Sequence, residues 1–256
     1  MKKLNILIAN DDGYFAPGIR TLAARLSAEH NIVVSAPLSE RSGYSHQVHF
    51  FSGISYEKKE MPDGIETYAV DGSPADCVIF ALKHLCRGRK FDVVLSGINS
   101  VRNIGSDVMY SGTVGAAQEG TFHRVPSIAV SLRTRGADDY AYCAEFIAKN
   151  LHELIKYATE NITLNVNVPS TKKEDILGVR VTPVAYRPYV ENYICQTDSD
   201  GKEIFIVNGK PDRSHIYDEN CDVVLSDKGY ITITPIQMIC NDREALNAMR
   251  SAEFDL

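Results

Sequence analysis

Asp11 and Asp12 stand side by side in the stretch Ile6-Leu7-Ile8-Ala9-Asn10-Asp11-Asp12-Gly13. Neighbouring carboxylates repel, and they gain most from a shared cation. Asn, Asp and Gly are also common turn residues, so a solvated turn is the alternative reading. Further along, Asn99 offers a carbonyl oxygen suited to a hard cation. Asn103 carries an amide that can donate to a phosphate oxygen. The polar loop Pro37-Leu38-Ser39-Glu40-Arg41-Ser42-Gly43-Tyr44-Ser45-His46 supplies two hydroxyls, Ser42 and Ser45, for a metal or a phosphate. Arg41 can neutralise an anion there, and a turn with solvated hydroxyls explains the same residues. His46 has no partner at metal-ligand spacing and reads as a surface or satisfied histidine. Ser111, Gly112 and Thr113 open a run of small residues, Val114 to Gly120. Free N–H groups, hydroxyls and the positive end of a helix dipole suit an anion, and they equally suit an ordinary cap. No Gly-Lys-Ser/Thr follows, which excludes a Walker A loop.

The elements that must carry these residues are legible from apolar pattern. Leu4, Ile6, Leu7 and Ile8 form an unbroken run, as in a parallel strand covered on both faces. The acids then fall just past its carboxyl end, where open α/β sheets bind ligands. Pro17-Gly18-Ile19 opens a helix, with Ile19, Leu22, Ala23 and Leu26 at helical spacing. Strands are predicted at 31–36, 50–54, 65–70, 91–95, 126–132 and 162–168, the last less buried because it alternates. Lys58 to Gly64 reads as a turn. Ser73-Pro74-Ala75-Asp76 has the chemistry of a capping box, which leaves Asp76 with no need of a catalytic role. A long helix is predicted from Ala137 to Tyr157.

The texture changes near residue 170. A strand is predicted at 179–185 and another at 227–236, with a last helix from Asp242 to about Glu253. Between them lies a polar, tyrosine-bearing, turn-rich segment with a hairpin signal at Asp198-Ser199-Asp200-Gly201. The expected architecture is α/β: a three-layer Rossmann-like core with a mostly parallel sheet and an extended β-hairpin arm. The expected organisation is a catalytic core over 1–169, an arm for oligomerisation over 170–228, and a strand and helix returning to the core over 229–256.

The 256 residues, 44% hydrophobic and 23% charged, describe an ordinary globular chain. A net charge of -6 argues against binding nucleic acid polymers, yet it permits a small phosphorylated ligand in a local site. No apolar run reaches the length of a membrane span. The cysteines, Cys77, Cys86, Cys143, Cys195, Cys221 and Cys240, form no CxxC pair or zinc spacing, which suits free thiols in a reducing cytoplasm.

Taken in order, several segments resemble the SurE family. They are Asn10-Asp11-Asp12-Gly13 with Ala16-Pro17-Gly18-Ile19, Ala36-Pro37 with Arg41-Ser42-Gly43, and Gly72-Ser73-Pro74-Ala75-Asp76-Cys77. Then come Ser96-Gly97-Ile98-Asn99, Asn103-Ile104-Gly105, Tyr110-Ser111-Gly112-Thr113-Val114, Asn165-Val166-Asn167-Val168-Pro169 and Gly229-Tyr230-Ile231-Thr232-Ile233-Thr234-Pro235. Each is weak alone; together they span nearly the whole chain. The resemblance implies hydrolysis of nucleoside 5′- and 3′-monophosphates, sometimes of short polyphosphate. It implies one divalent cation per subunit, magnesium or manganese, held by Asp11, Asp12, Ser42 and Asn99. Asn103 with Ser111, Gly112 and Thr113 would line the phosphate site, and the arm would build a homodimer or homotetramer. Two positions depart from the family pattern. Val101-Arg102 precede Asn103 where members usually carry a glycine and often a proline, and Gln237 stands where some have a histidine.

Two other functions use the same residues. An aspartyl-phosphate phosphatase or phospho-receiver also places acids at the end of strand one, though here they are adjacent rather than Asp-x-Asp. A non-catalytic nucleotide sensor would bind without turnover.

Overall fold

The computed structural model describes residues 2–61, 64–134, 136–169, 172–212, 214–239 and 242–250. Its centre is a nine-stranded sheet. The strands, in chain order, are β1 (Asn5–Ala9), β2 (Asn31–Pro37), β3 (Ser55–Glu60), β4 (Glu66–Asp71), β5 (Val93–Asn99), β6 (Ser127–Leu132), β7 (Ile162–Val168), β8 (Val179–Val181) and β13 (Ile231–Gln237). Their order across the sheet is β3-β4-β2-β1-β5-β6-β7-β13-β8. From β4 to β7 all pairs are parallel. β3 on β4 and β13 on β7 are antiparallel.

The two faces follow from the pleat. Ile6 and Ile8 face one layer, where α1 (Pro17–Ser27) and α4 (Ala137–Ile155) contribute Ile19, Leu22, Leu26, Ile147 and Leu151. Leu7 and Ala9 face the other, against Val78 of α2 (Pro74–Phe80) and Ala116 of α3 (Gly112–Phe122). This is why β1 reads as unbroken apolar sequence: both faces are covered. Gly18 lets α1 lie on the sheet, since a Cβ there would stand 1.9 Å from the Ile98 carbonyl oxygen. The capping box on α2 is present, with the Ser73 hydroxyl accepting from the Asp76 N–H and the Asp76 carboxylate accepting from the Ser73 N–H.

Several expectations are corrected. Residues 50–54 are not a strand; β3 starts at Ser55 and takes in Lys58, Lys59 and Glu60 from the predicted turn. β3 is an exposed edge strand, held by backbone pairing to β4 and protected by its charges, so it carries no apolar signature. β7 is buried rather than half-exposed, because it lies between β6 and β13. Its polar positions are paired inside: Thr163 with Thr121 at 2.7 Å, and Asn165 and Asn167 with the Asn103 backbone. β8 stops at Val181, two residues before Pro183, which has no N–H to give a ladder. Asp222–Asp227 is a helix, α5, where strand had been predicted to begin at Asp227; β13 starts only after Gly229, whose φ is +103°. The last helix, α6, is described over Arg243–Arg250; Cys240 and residues 251–256 lie outside the described residues.

The arm segment contains two ribbons. β10 (Tyr193–Thr197) pairs antiparallel with β11 (Glu203–Val207) around the predicted Asp198–Gly201 turn. At its root, β9 (Tyr189–Val190) pairs with β12 (Lys210–Pro211). No helix among the described residues is long and apolar enough to cross a membrane.

Candidate functional site

Strand order reverses at β1: its chain neighbour β2 lies on one side and β5 on the other. A crevice opens at such a switch point, beyond the carboxyl ends of the strands. Here it is a cavity of about 550 Å³. Its wall carries Asp11 and Asp12 after β1, Ser42 after β2, Asn99 at the end of β5, then Asn103, and Ser111 at the start of α3. A second cleft of about 520 Å³ lies at the opposite ends of the strands, around His30, Asn31, Glu66 and Arg89. It gathers none of the predicted site residues.

Asp11 is 4% exposed. Its Oδ1 accepts a 2.5 Å hydrogen bond from the Thr113 hydroxyl. Burial pushes its carboxyl above the usual range, and the Thr113 hydroxyl pulls against that rise. Asp12 is pushed up to about 6, first by burial, then by the charges of Asp11 and Glu40. Glu40 also lines the cavity and accepts the Ser42 hydroxyl at 2.8 Å. The Asn99 amide nitrogen donates to the Val101 carbonyl at 2.7 Å, which presents its Oδ1 as the remaining acceptor. The loop after β2 is tied to the acid loop, because the Arg41 N–H donates to the Asp11 carbonyl at 2.7 Å.

Asn103 is held from beneath by β7. Its N–H donates to Asn167 Oδ1 at 2.8 Å, and its carbonyl accepts from Asn165 at 2.8 Å and Asn167 at 3.0 Å. Its own amide donates to the Ser131 hydroxyl at 2.8 Å, leaving one further N–H for a ligand. Ser111 caps α3 by accepting from the Val114 N–H at 3.1 Å, so its hydroxyl proton is free to donate. Gly112 packs on Asp11: a Cβ there would fall 2.8 Å from the Asp11 Cβ. Thr113 is fully buried and spends its hydroxyl on Asp11. Its backbone N–H also faces the Asp11 carboxylate, so both groups of Thr113 serve the acid pair.

Chemically, this donor set suits a hard divalent cation. Two carboxylates, a hydroxyl and an amide carbonyl are oxygen ligands of the kind magnesium and manganese take. Burial raises both carboxyls, and at Asp12 the charges of Asp11 and Glu40 add to the rise; a bound cation would relieve both effects. Among the described residues no three His, Cys, Asp or Glu side chains converge as a metal cluster. The candidate set leans instead on two neutral oxygens beside its two acids.

Sequence reasoning missed the far wall. Asp107, Tyr189, Glu191, Val207 and Gly209 complete the cavity. The Tyr189 hydroxyl donates to Asp107 at 2.6 Å, and Arg187 pairs with the same carboxylate. These contacts fold the arm root over the site from about 80 residues away, a pairing that no local pattern signals. Glu40 lay within the loop singled out by sequence and gave no separate signal. Arg102 lines the cavity but is spent elsewhere: it donates to Ser226 at 2.6 Å and Asp227 at 2.7 Å on α5. Gln237 closes β13 opposite Ile162.

Comparison with known proteins adds a second line of evidence. A family model described as survival protein SurE matches residues 6–191. A protein of Clostridium botulinum (strain Eklund 17B / Type B) named 5′-nucleotidase SurE is 36% identical over 254 residues, covering 96% of this chain and 98% of its own length. One of the same name from Vibrio vulnificus (strain YJ016) is 40% identical, covering 97% and 95%. The crystal structure of the SurE protein from Aquifex aeolicus superposes with a TM-score of 0.80 at 32% identity, over 96% of this chain and 98% of that one.

Proposed function

This chain belongs to the SurE family, and from that premise we propose that the strand-end cavity is its phosphatase site, loaded with one divalent cation. The activity is hydrolysis of nucleoside monophosphates to nucleoside and phosphate, as the relatives named 5′-nucleotidase imply. The observation that carries the site is the convergence of Asp11, Asp12, Ser42, Asn99 and Ser111, from three strand ends and one helix start, on a single cavity.

Asp11, Asp12, Ser42 and Asn99 would hold magnesium or manganese. When bound, such an ion supplies Lewis acidity to the phosphoryl group and makes a nearby water more acidic. The chain's own part is positioning. The Ser111 hydroxyl, the second Asn103 amide proton and the Gly112 N–H at the start of α3 orient the phosphate. Thr113 holds Asp11 in place as a charged ligand. Tyr189 and Val207 give the nucleoside an apolar wall on the far side. Hydrolysis of 3′-monophosphates and short polyphosphate belongs to the same proposal, and a substrate panel run across several metals reads it.

We assign the 170–228 segment to assembly of a homodimer or homotetramer. Tyr193, Ile194, Phe205 and Val207 are exposed there, a density of apolar surface suited to a protein contact. Sedimentation equilibrium tests this, and a monomer would refute it. Buried free thiols at Cys77, Cys86, Cys143 and Cys221 fit a cytoplasmic setting.

The site is tested with p-nitrophenyl phosphate and Mn²⁺, with and without chelator, on the wild type and Asp11→Asn. Chelation and the substitution should each remove the activity. Activity that survives both overturns the proposal, and an acyl-phosphate trapped on either aspartate would favour a covalent route instead.

A further inference from the structure

Glu119 lies on α3, two turns beyond Ser111–Thr113, and is 4% exposed. It does not reach the cavity. Its Oε2 lies 2.6 Å from His46 Nε2, and its Oε1 lies 3.0 Å from His123 Nε2. A carboxylate buried to this degree demands such partners, since an unpaired buried charge is costly. His123 caps the C-terminal end of the same helix, one turn from Glu119, and burial holds its imidazole below the ordinary histidine range. His46 is different: it comes from the loop that carries Ser42.

That loop is tied at both ends, and between them the Tyr44 hydroxyl accepts from the Arg41 guanidinium at 3.1 Å. At one end the Arg41 N–H holds the Asp11 carbonyl at 2.7 Å. At the other, Ser45 grips the turn before α3: its N–H donates to the Tyr110 carbonyl at 3.1 Å and its hydroxyl to the Met109 carbonyl at 2.6 Å. Ser45 adopts a φ of +54°, a left-handed conformation unusual for a side-chain-bearing residue. The Ser45 backbone also lies directly on α3 at Gly115, where a Cβ would stand 2.3 Å from the Ser45 carbonyl oxygen. Between the ties, Ser42 is exposed and bonded only to its neighbour Glu40, and the Cβ position of Gly43 meets nothing within 4 Å. The place of Ser42 is therefore set by the two anchor points.

We propose that Glu119, acting through His46, is a positioning residue that latches the Ser42 loop to α3 and so fixes the distance between the cation ligands and the phosphate-binding helix start. The inference rests on Ser42 serving as a cation ligand, as proposed above. Asp11 and α3 already meet through Thr113 and Gly112. The latch brings the third element, the loop after β2, into the same fixed frame.

The test compares His46→Ala, His46→Gln and Ser42→Ala with the wild type. Gln places an amide N–H near the Nε2 position of His46 and can still donate to Glu119. Mn²⁺ binding is read directly, by loss of the free-ion electron paramagnetic resonance signal, beside kcat/KM on p-nitrophenyl phosphate and a thermal melt. Residues that orient ligands typically alter metal affinity or activity by about 10- to 100-fold. His46→Ala should weaken Mn²⁺ binding by about 10-fold, with His46→Gln restoring most of the loss. Ser42→Ala should weaken binding at least as much. If Ser42→Ala binds weakly while His46→Ala binds like the wild type, the latch is wrong and the ligand assignment stands. If Ser42→Ala itself binds like the wild type, Ser42 is no ligand and the latch falls with it. A lowered melting temperature in His46→Ala with unchanged Mn²⁺ binding marks a purely structural contact and overturns the positioning role.

Discussion

Replacing Thr113 with valine removes one hydroxyl and preserves the branched shape. The residue is fully buried, and its only recorded side-chain hydrogen bond is the 2.5 Å contact to Asp11 Oδ1. Asp11 is itself 4% exposed, so solvent screens little of what is lost. A hydrogen bond to a charged group contributes about 1.5–3 kcal/mol. Without it, burial is opposed by backbone N–H groups alone and favours the protonated form of Asp11 more strongly, which is the poorer cation ligand. At about 1.4 kcal/mol per decade, Mn²⁺ binding at pH 7 should weaken by about 10- to 100-fold. Thr113→Ser keeps the hydroxyl and should stay close to the wild type. The assay is a direct Mn²⁺ titration, with a thermal melt in the absence of metal to show that the variant folds. A folded Thr113→Val protein whose Mn²⁺ midpoint moves less than about two-fold would refute the argument, because the hydroxyl would then contribute nothing to the charged state of Asp11.

Two further predictions follow from the same cavity. Asp12 has a folded pKa of about 6, above the ordinary aspartate value of 3.8, so its contribution to metal-free stability is present below 3.8 and lost as pH rises through about 6. Without metal, Asp12→Asn should therefore melt above the wild type at pH 7.5, and the difference should shrink toward pH 4.5; Mn²⁺ should raise the wild-type melting temperature and leave the variant's nearly unmoved. A pH-independent difference would remove burial and its acidic neighbours as the source of the Asp12 shift. Tyr189→Ala strips the wall opposite the acids and should raise KM for a nucleoside monophosphate by about 10-fold or more, the effect of losing roughly 1.5 kcal/mol of aromatic contact. KM for a small ester without an aromatic group, such as methyl phosphate, should hold, and an equal rise there would place Tyr189 at the phosphate instead.

The parts of this fold that sequence displays best are those buried on both faces. β1 and β5 write themselves as continuous apolar runs because a helix layer covers each side of them. The acids and Asn99 stood out for a related reason, since polar residues that end such runs must line a crevice or a turn, whereas only the family resemblance separates Ser42 from Ser45 in the loop after β2. The edge strand β3 was misplaced because backbone pairing alone defines it, while the apolar pair Phe50 and Phe51 beside it is exposed and outside any strand. β7 misled in the opposite direction: Asn165 and Asn167 look solvent-facing in sequence and are buried props for the Asn103 backbone. The same limit applies to Thr113. Its hydroxyl suits an anion or a carboxylate equally well, and only the close approach of Gly112 to Asp11 decides which it meets. The wall formed by Asp107, Arg187 and Tyr189 depends on a contact between distant segments, and composition carries no trace of it.

The position of β13 in the sheet has a consequence for how the chain is made. It is the last strand among the described residues, yet it lies inside the sheet, antiparallel to β7 on one side and parallel to β8 on the other. During synthesis, β7 emerges more than sixty residues before its outer partner, and for that interval it presents an unpaired edge of backbone donors and acceptors. Among the described residues β8 pairs only with β13, and it too waits until β13 is made. Asn165 and Asn167 interrupt the apolar run of β7, which lowers the hydrophobicity of the waiting segment and so its aggregation hazard. Mutations that make β7 more apolar would be expected to lower soluble yield from the ribosome, and at Asn165 or Asn167 also to lower the finished enzyme's melting temperature, because the Asn103 backbone loses its partners; expression at low and high synthesis rates would separate the two effects.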